Sequence, residues 1–117
     1  MTITVQRTGK AHKRTQRYLW ETLTGDDDGS PVSISDGTDG SIQATGTFDS
    51  ATVNFQGSND GGTTWFNLTD ETGTEIALTA AGGKMFLPRA DKVRPLTSGG
   101  GASTDIDVHM VIGRDLK

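Results

Sequence analysis

The sequence predicts an all-β fold, an eight- or nine-stranded antiparallel sandwich of jelly-roll-like form, with an immunoglobulin-like sandwich as the alternative and an extended N-terminal arm. Three observations carry this. Apolar residues alternate at period two along nearly the whole chain, and no stripe runs at helical spacing. The alternating runs are short and separated by Gly, Asp and Asn clusters, the residues that turns need. Hydrophobic residues make up only 32% of the 117 positions, so the core is thin, which suits two facing sheets better than a helical bundle. The length fits one domain, divided here into an arm at 1–17 and a sandwich at 18–117.

The first dozen residues are polar and basic, with Ile3 and Val5 as apolar anchors, and read as an arm outside the core. Residues 15–24 place Tyr18, Trp20 and Thr22 on one face and Leu19 and Leu23 on the other. A short strand at 31–35 puts Val32 and Ile34 together, and 41–48 aligns Ile42, Ala44 and Phe48. In 50–57 the residues Ala51, Val53 and Phe55 face inward against outward Thr52, Asn54 and Gln56. Gly57, Ser58, Asn59, Asp60, Gly61 and Gly62 then predict a tight hairpin into a strand at 63–69, where Phe66 and Leu68 oppose Trp65. Ile76 and Leu78 pair within 75–80, and short strands follow at 84–87 and 92–96. Pro88 and Pro95 cannot donate ladder hydrogen bonds, which predicts that they lie at sheet edges or strand ends. The glycine-rich run 98–103 reads as a mobile loop before a last strand at 104–112, which aligns Ile106, Val108, Met110 and Ile112.

The net charge of −4 is unevenly spread. Residues 1–17 carry +5 from Arg7, Lys10, Lys13, Arg14 and Arg17; residues 18–83 carry −11 with no Lys or Arg; residues 84–117 carry +2. An acidic body repels a nucleic-acid backbone over most of its surface, so nucleic acid is not the expected partner. No run approaches the roughly 18 apolar residues of a membrane span, and the N-terminus lacks the layout of a signal peptide, so neither membrane nor export is expected. The absence of cysteine removes disulfides, thiolate metal sites and thiol nucleophiles together.

Each chemical candidate has a plainer reading. His109 lies out of phase with the apolar residues of its strand and points outward, and His12 has no acid beside it to orient it as a base. Asp105 and Asp107 could form a carboxylate pair, but read better as outward charges that guard a strand edge. Asp26, Asp27 and Asp28 invite a calcium loop, yet Pro31 and Gly37 stand where such a loop needs its glycine and its bidentate glutamate. The glycines at 99–101 lack the Lys-Ser/Thr of a phosphate loop. The expectation is therefore no enzyme, no catalytic or metal-binding residues and no cofactor.

The runs IQATGTF at 42–48, ATVNFQGSNDG at 51–61, TWFNLTD at 64–70, KVRP at 92–95 and TDIDV at 104–108 resemble a group of short proteins encoded among the structural genes of tailed bacteriophages and prophages. The resemblance covers roughly residues 25–113 and leaves out the basic arm. It implies a head decoration or cement protein made in the host bacterial cytoplasm and carried on the capsid surface of the virion. Its partners would be the major capsid protein and other copies of itself. A head–tail connector or tail component shares that context. The alternative from another class is a carbohydrate-binding module, with Trp65, Trp20 or Tyr18 stacked on a sugar ring. The candidate partner-binding residues are the arm cations Arg7, Lys10, Lys13, Arg14 and Arg17, the aromatic anchors Tyr18 and Trp20, and Phe86 and Leu87 at an exposed edge beside Pro88. Trp65 is expected to be a core or interface anchor, or else the sugar platform.

Overall fold

The computed structural model describes residues 2–7, 15–34, 37–87 and 89–114. In chain order they form twelve strands: β1 (Thr2–Ile3), β2 (Val5–Arg7), β3 (Thr15–Leu23), β4 (Asp28–Gly29), β5 (Val32–Ser33), β6 (Gly37–Thr47), β7 (Thr52–Ser58), β8 (Phe66–Asn67), β9 (Ala77–Leu78), β10 (Gly82–Phe86), β11 (Lys92–Ser98) and β12 (Asp105–Arg114). One sheet runs β1-β4-β11-β7-β8, with β5 also on β11 and β9 also on β7; the other runs β10-β6-β12-β3-β2. Between them lies one core, led by Trp20, Phe55, Leu23, Ile42, Ile106 and Met110.

The pairing decides between the two sandwich types. Strands β4 and β5 are successive pieces against β11, and β8 and β9 are successive pieces against β7, so the ribbon after β2 has eight legs. The first leg pairs with the last (β3 with β12), the second with the seventh (β4 and β5 with β11), the third with the sixth (β6 with β10) and the fourth with the fifth (β7 with β8 and β9). Every one of these pairs is antiparallel, as in a long hairpin rolled up on itself. That is a jelly roll; an immunoglobulin sandwich would keep its first two strands in one sheet.

Five local expectations are corrected. The sandwich does not begin at residue 18: β1 runs parallel to β4, β2 pairs with β3, and β3 itself starts at Thr15. Ile3 and Val5 pack on the core, so burial draws these six residues out of the arm and into both sheets. Lys10, Lys13 and Arg14 lie outside the described residues, as does Pro88. Leu23 shares the inner face with Tyr18 and Trp20, because β3 carries an extra residue between Trp20, opposite Val108, and Leu23, opposite Ile106. At this bulge Thr22 takes a φ of 60°, costly for a β-branched residue, and its N–H is held by Asp107 Oδ1 at 3.0 Å. Asp107 thus serves a bulge on a central strand rather than guarding an edge.

Loop 98–103 is docked rather than loose. Gly100 N donates to Gly25 O (3.1 Å), Gly101 N to Asp49 O (2.9 Å) and Ser103 N to Asp49 Oδ2 (3.0 Å). A Cβ on Gly25 would stand 2.4 Å from Gly100 O, so glycine here permits close backbone approach. Pro95 likewise lies inside β11, opposite Phe55, but at the point where the strand's other neighbour changes from β5 to β4 and the ladder is already interrupted. The hairpin of β7 and β8 forms as expected, though through a longer loop, with Gly61 and Gly62 at φ 77° and 102°.

Candidate interaction surfaces

Most of the aromatic residues expected at a partner surface are in the core. Trp20 is 0% exposed, its indole N–H donates to Ser30 O at 3.0 Å, and it stands edge-on to Phe55 at 6.3 Å. Tyr18 is buried beside it on the inner face of β3. Phe86 is 2% exposed and edge-on to Phe55 at 5.1 Å, the one buried residue of β10, and its neighbour Leu87 is the exposed one, at 52%. Arg17 points outward on β3, opposite Val111, and Arg7 lies in β2. The expected grouping of Arg17, Tyr18 and Trp20 is therefore split between the two faces of one strand.

The outer face of the seven-stranded sheet carries a transverse row of bonded polar side chains. Thr2 Oγ1 donates to Asp28 Oδ1 (3.0 Å), and Arg94 reaches Asp28 Oδ2 through Nη1 (2.8 Å) and Gln56 Oε1 through Nε (3.0 Å). Gln56 Nε2 donates to Asn67 Oδ1 (3.2 Å), and Asn67 Nδ2 to Glu75 Oε1 (3.0 Å). Cross-strand register puts these residues side by side: Arg94 faces Gln56, which faces Asn67. Above the row the Arg94 guanidinium lies 4.1 Å from the centre of the half-buried Trp65 ring, whose indole N–H is tied to Gly62 O (3.1 Å). Trp65 is thus a fixed surface aromatic, not a core anchor. The alternation of 50–57 made Gln56 legible as outward, but only the pairing shows that it meets Arg94 and Asn67.

A second surface lies between β8 and β10, where Phe66 (42% exposed) and Leu87 form a groove of about 380 Å³ over Leu68, with Asp70, Glu71 and Arg89 along it. Beside it a larger cavity of about 630 Å³ is lined by Ser41, Gln43, Asp70, Glu71, Lys84 and Met85, among others. Asp70 is already committed there: it accepts from Thr72 and Thr74 and is 3.4 Å from Lys84 Nζ.

Three carboxylates are held by hydrogen bonds within their own loops. Hydrogen bonds, chiefly from Thr64 N–H and then the Ser58 hydroxyl, hold Asp60 down at about 2. The Thr72 hydroxyl and N–H do the same for Asp70, also at about 2. Burial is the largest influence on Asp27 and raises it, but hydrogen bonds from Thr24 N–H and hydroxyl carry it below its ordinary value. Asp28 is spent on Arg94. Among the described residues no three His, Asp or Glu side chains come together as a metal site would need. His109 is exposed on the outer face of β12, beside Gln43 of β6 and Leu19 of β3.

No protein-family model matches the chain, and no curated protein matches its sequence. Among solved structures, the crystal structure of the SPBc2 prophage-derived protein YomS has the same fold, at a TM-score of 0.65 and 13% sequence identity, over 89% of this chain and 98% of that one.

Proposed function

We propose that the protein is a phage virion component of the head decoration type, which acts by binding the major capsid protein from outside and catalyses no reaction. The observation that carries this is the Trp65–Arg94 stack. It sets two of the residue types enriched at interface hot spots on one sheet face, with Arg94 clamped by Asp28 and Gln56 before any partner arrives. Fold likeness to a prophage-derived protein and the sequence resemblance to virion proteins support the same reading. A protein that binds only the assembled shell stabilises it by mass action, and many copies on a repeating lattice multiply the effect.

The test is co-sedimentation with purified capsids. Trp65→Ala and Arg94→Ala should each weaken attachment by about tenfold or more while the protein stays folded. A stoichiometry matching the capsid lattice is expected; a copy number matching a neck or tail ring would move the protein off the head. Full-strength attachment by both variants would overturn the reading of this face. The same stack beside Gln56 and Asn67 also favours a glycan contact as the second reading, since an indole face with planar amides beside it suits a sugar ring. Loss of glycan binding, with capsid attachment intact, in Trp65→Ala would select it.

A further inference from the structure

The two long sides of the sandwich are closed differently. On one side residues 2–7 pass from the seven-stranded to the five-stranded sheet, and Ser30 N and Oγ bond to Ile3 O (2.7 Å) and Val5 N (2.8 Å) across the join. On the other side, between β8 and β10, no described strand crosses, and the apolar seam comes to the surface. Phe66 and Leu87 stand exposed over Leu68, which is itself buried. The groove is charged differently at its two ends. Asp70 and Glu71 lie toward the middle of β10, where Lys84 meets Asp70. Arg89 lies beyond the end of β10, near the hairpin end of the sheet, where Asp91 N–H donates to Ser58 O (2.9 Å). Lys84 offsets Asp70, while Glu71 and Arg89 make no ion pair among the described residues.

We propose that two copies of the protein associate about a two-fold axis through this groove. A patch that is apolar in the middle, acidic at one end and basic at the other is complementary to itself, because a two-fold contact sets each end against the opposite end of the partner. Phe66 and Leu87 of the two copies cover one another, and Arg89 of each copy meets Glu71 of the other. The apolar centre supplies the attraction; the charges set the orientation. This surface adjoins the Trp65 face at Asn67 but includes neither Trp65 nor Arg94, so the variants that test dimerisation differ from those that test capsid attachment.

The experiment is sedimentation of the full-length protein in capsid-free solution across a concentration series at low salt. A monomer–dimer equilibrium is expected. Leu87→Asp should leave a monomer with an unchanged thermal melt, since the side chain is already half exposed. Glu71→Arg and Arg89→Glu should each weaken the dimer by about tenfold, and the double reversal should restore it, because the pair is re-formed with its signs exchanged. A wild type that stays monomeric at every concentration, a dimer that survives Leu87→Asp, or a double reversal no tighter than the singles would each overturn the proposal. So would a monomeric wild type whose Leu87→Asp variant loses capsid attachment, which would assign the groove to the capsid protein.

Discussion

Trp20 gives up all of its exposed surface and satisfies its indole N–H on Ser30, so truncation to Ala leaves both a large cavity and an unpaired carbonyl. Trp20→Ala should cost about 3–5 kcal/mol. Trp65 loses a half-exposed contact and a cation–π pair, so Trp65→Ala should cost only about 1 kcal/mol. Urea melts of the two variants check this, and equal losses would mean that Trp65 is a core residue after all. Thr97 is the polar counterpart. Fully buried, it donates to Thr24 O (2.6 Å) and accepts from Asp27 N–H (2.9 Å), and its own N–H holds Asp27 O (2.8 Å). Thr97→Val keeps the shape and strands the Thr24 carbonyl and the Asp27 N–H, a loss of about 1–3 kcal/mol visible in the same melts.

At the scale of elements, the connections are set by single side chains. Asp60 accepts from Thr63 N–H, Thr64 N–H and Ser58 Oγ in the β7–β8 loop, and Asp70 plays the same part for the turn at 70–74. Both carboxyls lie below their ordinary 3.8, at about 2. A carboxyl depressed on folding contributes stability that is fully present above its unfolded value and is lost as pH falls through its folded one. The contribution of these loops should therefore hold above about pH 4 and fade toward pH 2. Amide exchange of Thr63, Thr64, Thr72 and Thr74 across that window measures it. Asp60→Asn should remove the pH dependence at Thr63 and Thr64 while leaving it at Thr72 and Thr74. At the other end of the sandwich Gly25→Ala drives a Cβ into the Gly100 backbone and should cost about 1–3 kcal/mol by thermal melt, as overpacking does; an unchanged melt would show that the two loops part freely.

For the molecule as a whole, the rolled ribbon pairs its first leg with its last, so the segment before the first leg is well placed to seal the side where those ends meet. Residues 2–7 do this with only six residues, two of them apolar. Deleting residues 2–14 should therefore lower the melting temperature by several degrees, although by composition the segment reads as an arm outside the core. A truncated protein that melts with the wild type would return the segment to the status of an arm. On the open side no described strand plays that part, and the large exposed side chains Phe66 and Leu87 stand there.

Period-two alternation was enough to place Val53, Phe55, Ile106, Val108, Met110 and Ile112 inside and His109 outside, because in a strand the backbone itself assigns successive side chains to opposite faces. It fails at Leu23, where one inserted residue reverses the phase; a proline marks a strand end without saying that Leu87 is exposed and Phe86 is not, and in loop 98–103 glycines that signal freedom in a sequence serve close contact in the fold. The Asp28, Arg94, Gln56, Asn67 and Glu75 row was not legible at all. Its members come from segments up to 66 residues apart in the chain, as Asp28 and Arg94 are, and only the register of pairing legs brings them within hydrogen-bond reach. Local sequence determined which faces are wet, because that depends on each residue and its immediate neighbours. Which wet residues touch, and which side of the sandwich stays open, was decided by tertiary structure, because both follow from how the ribbon rolls.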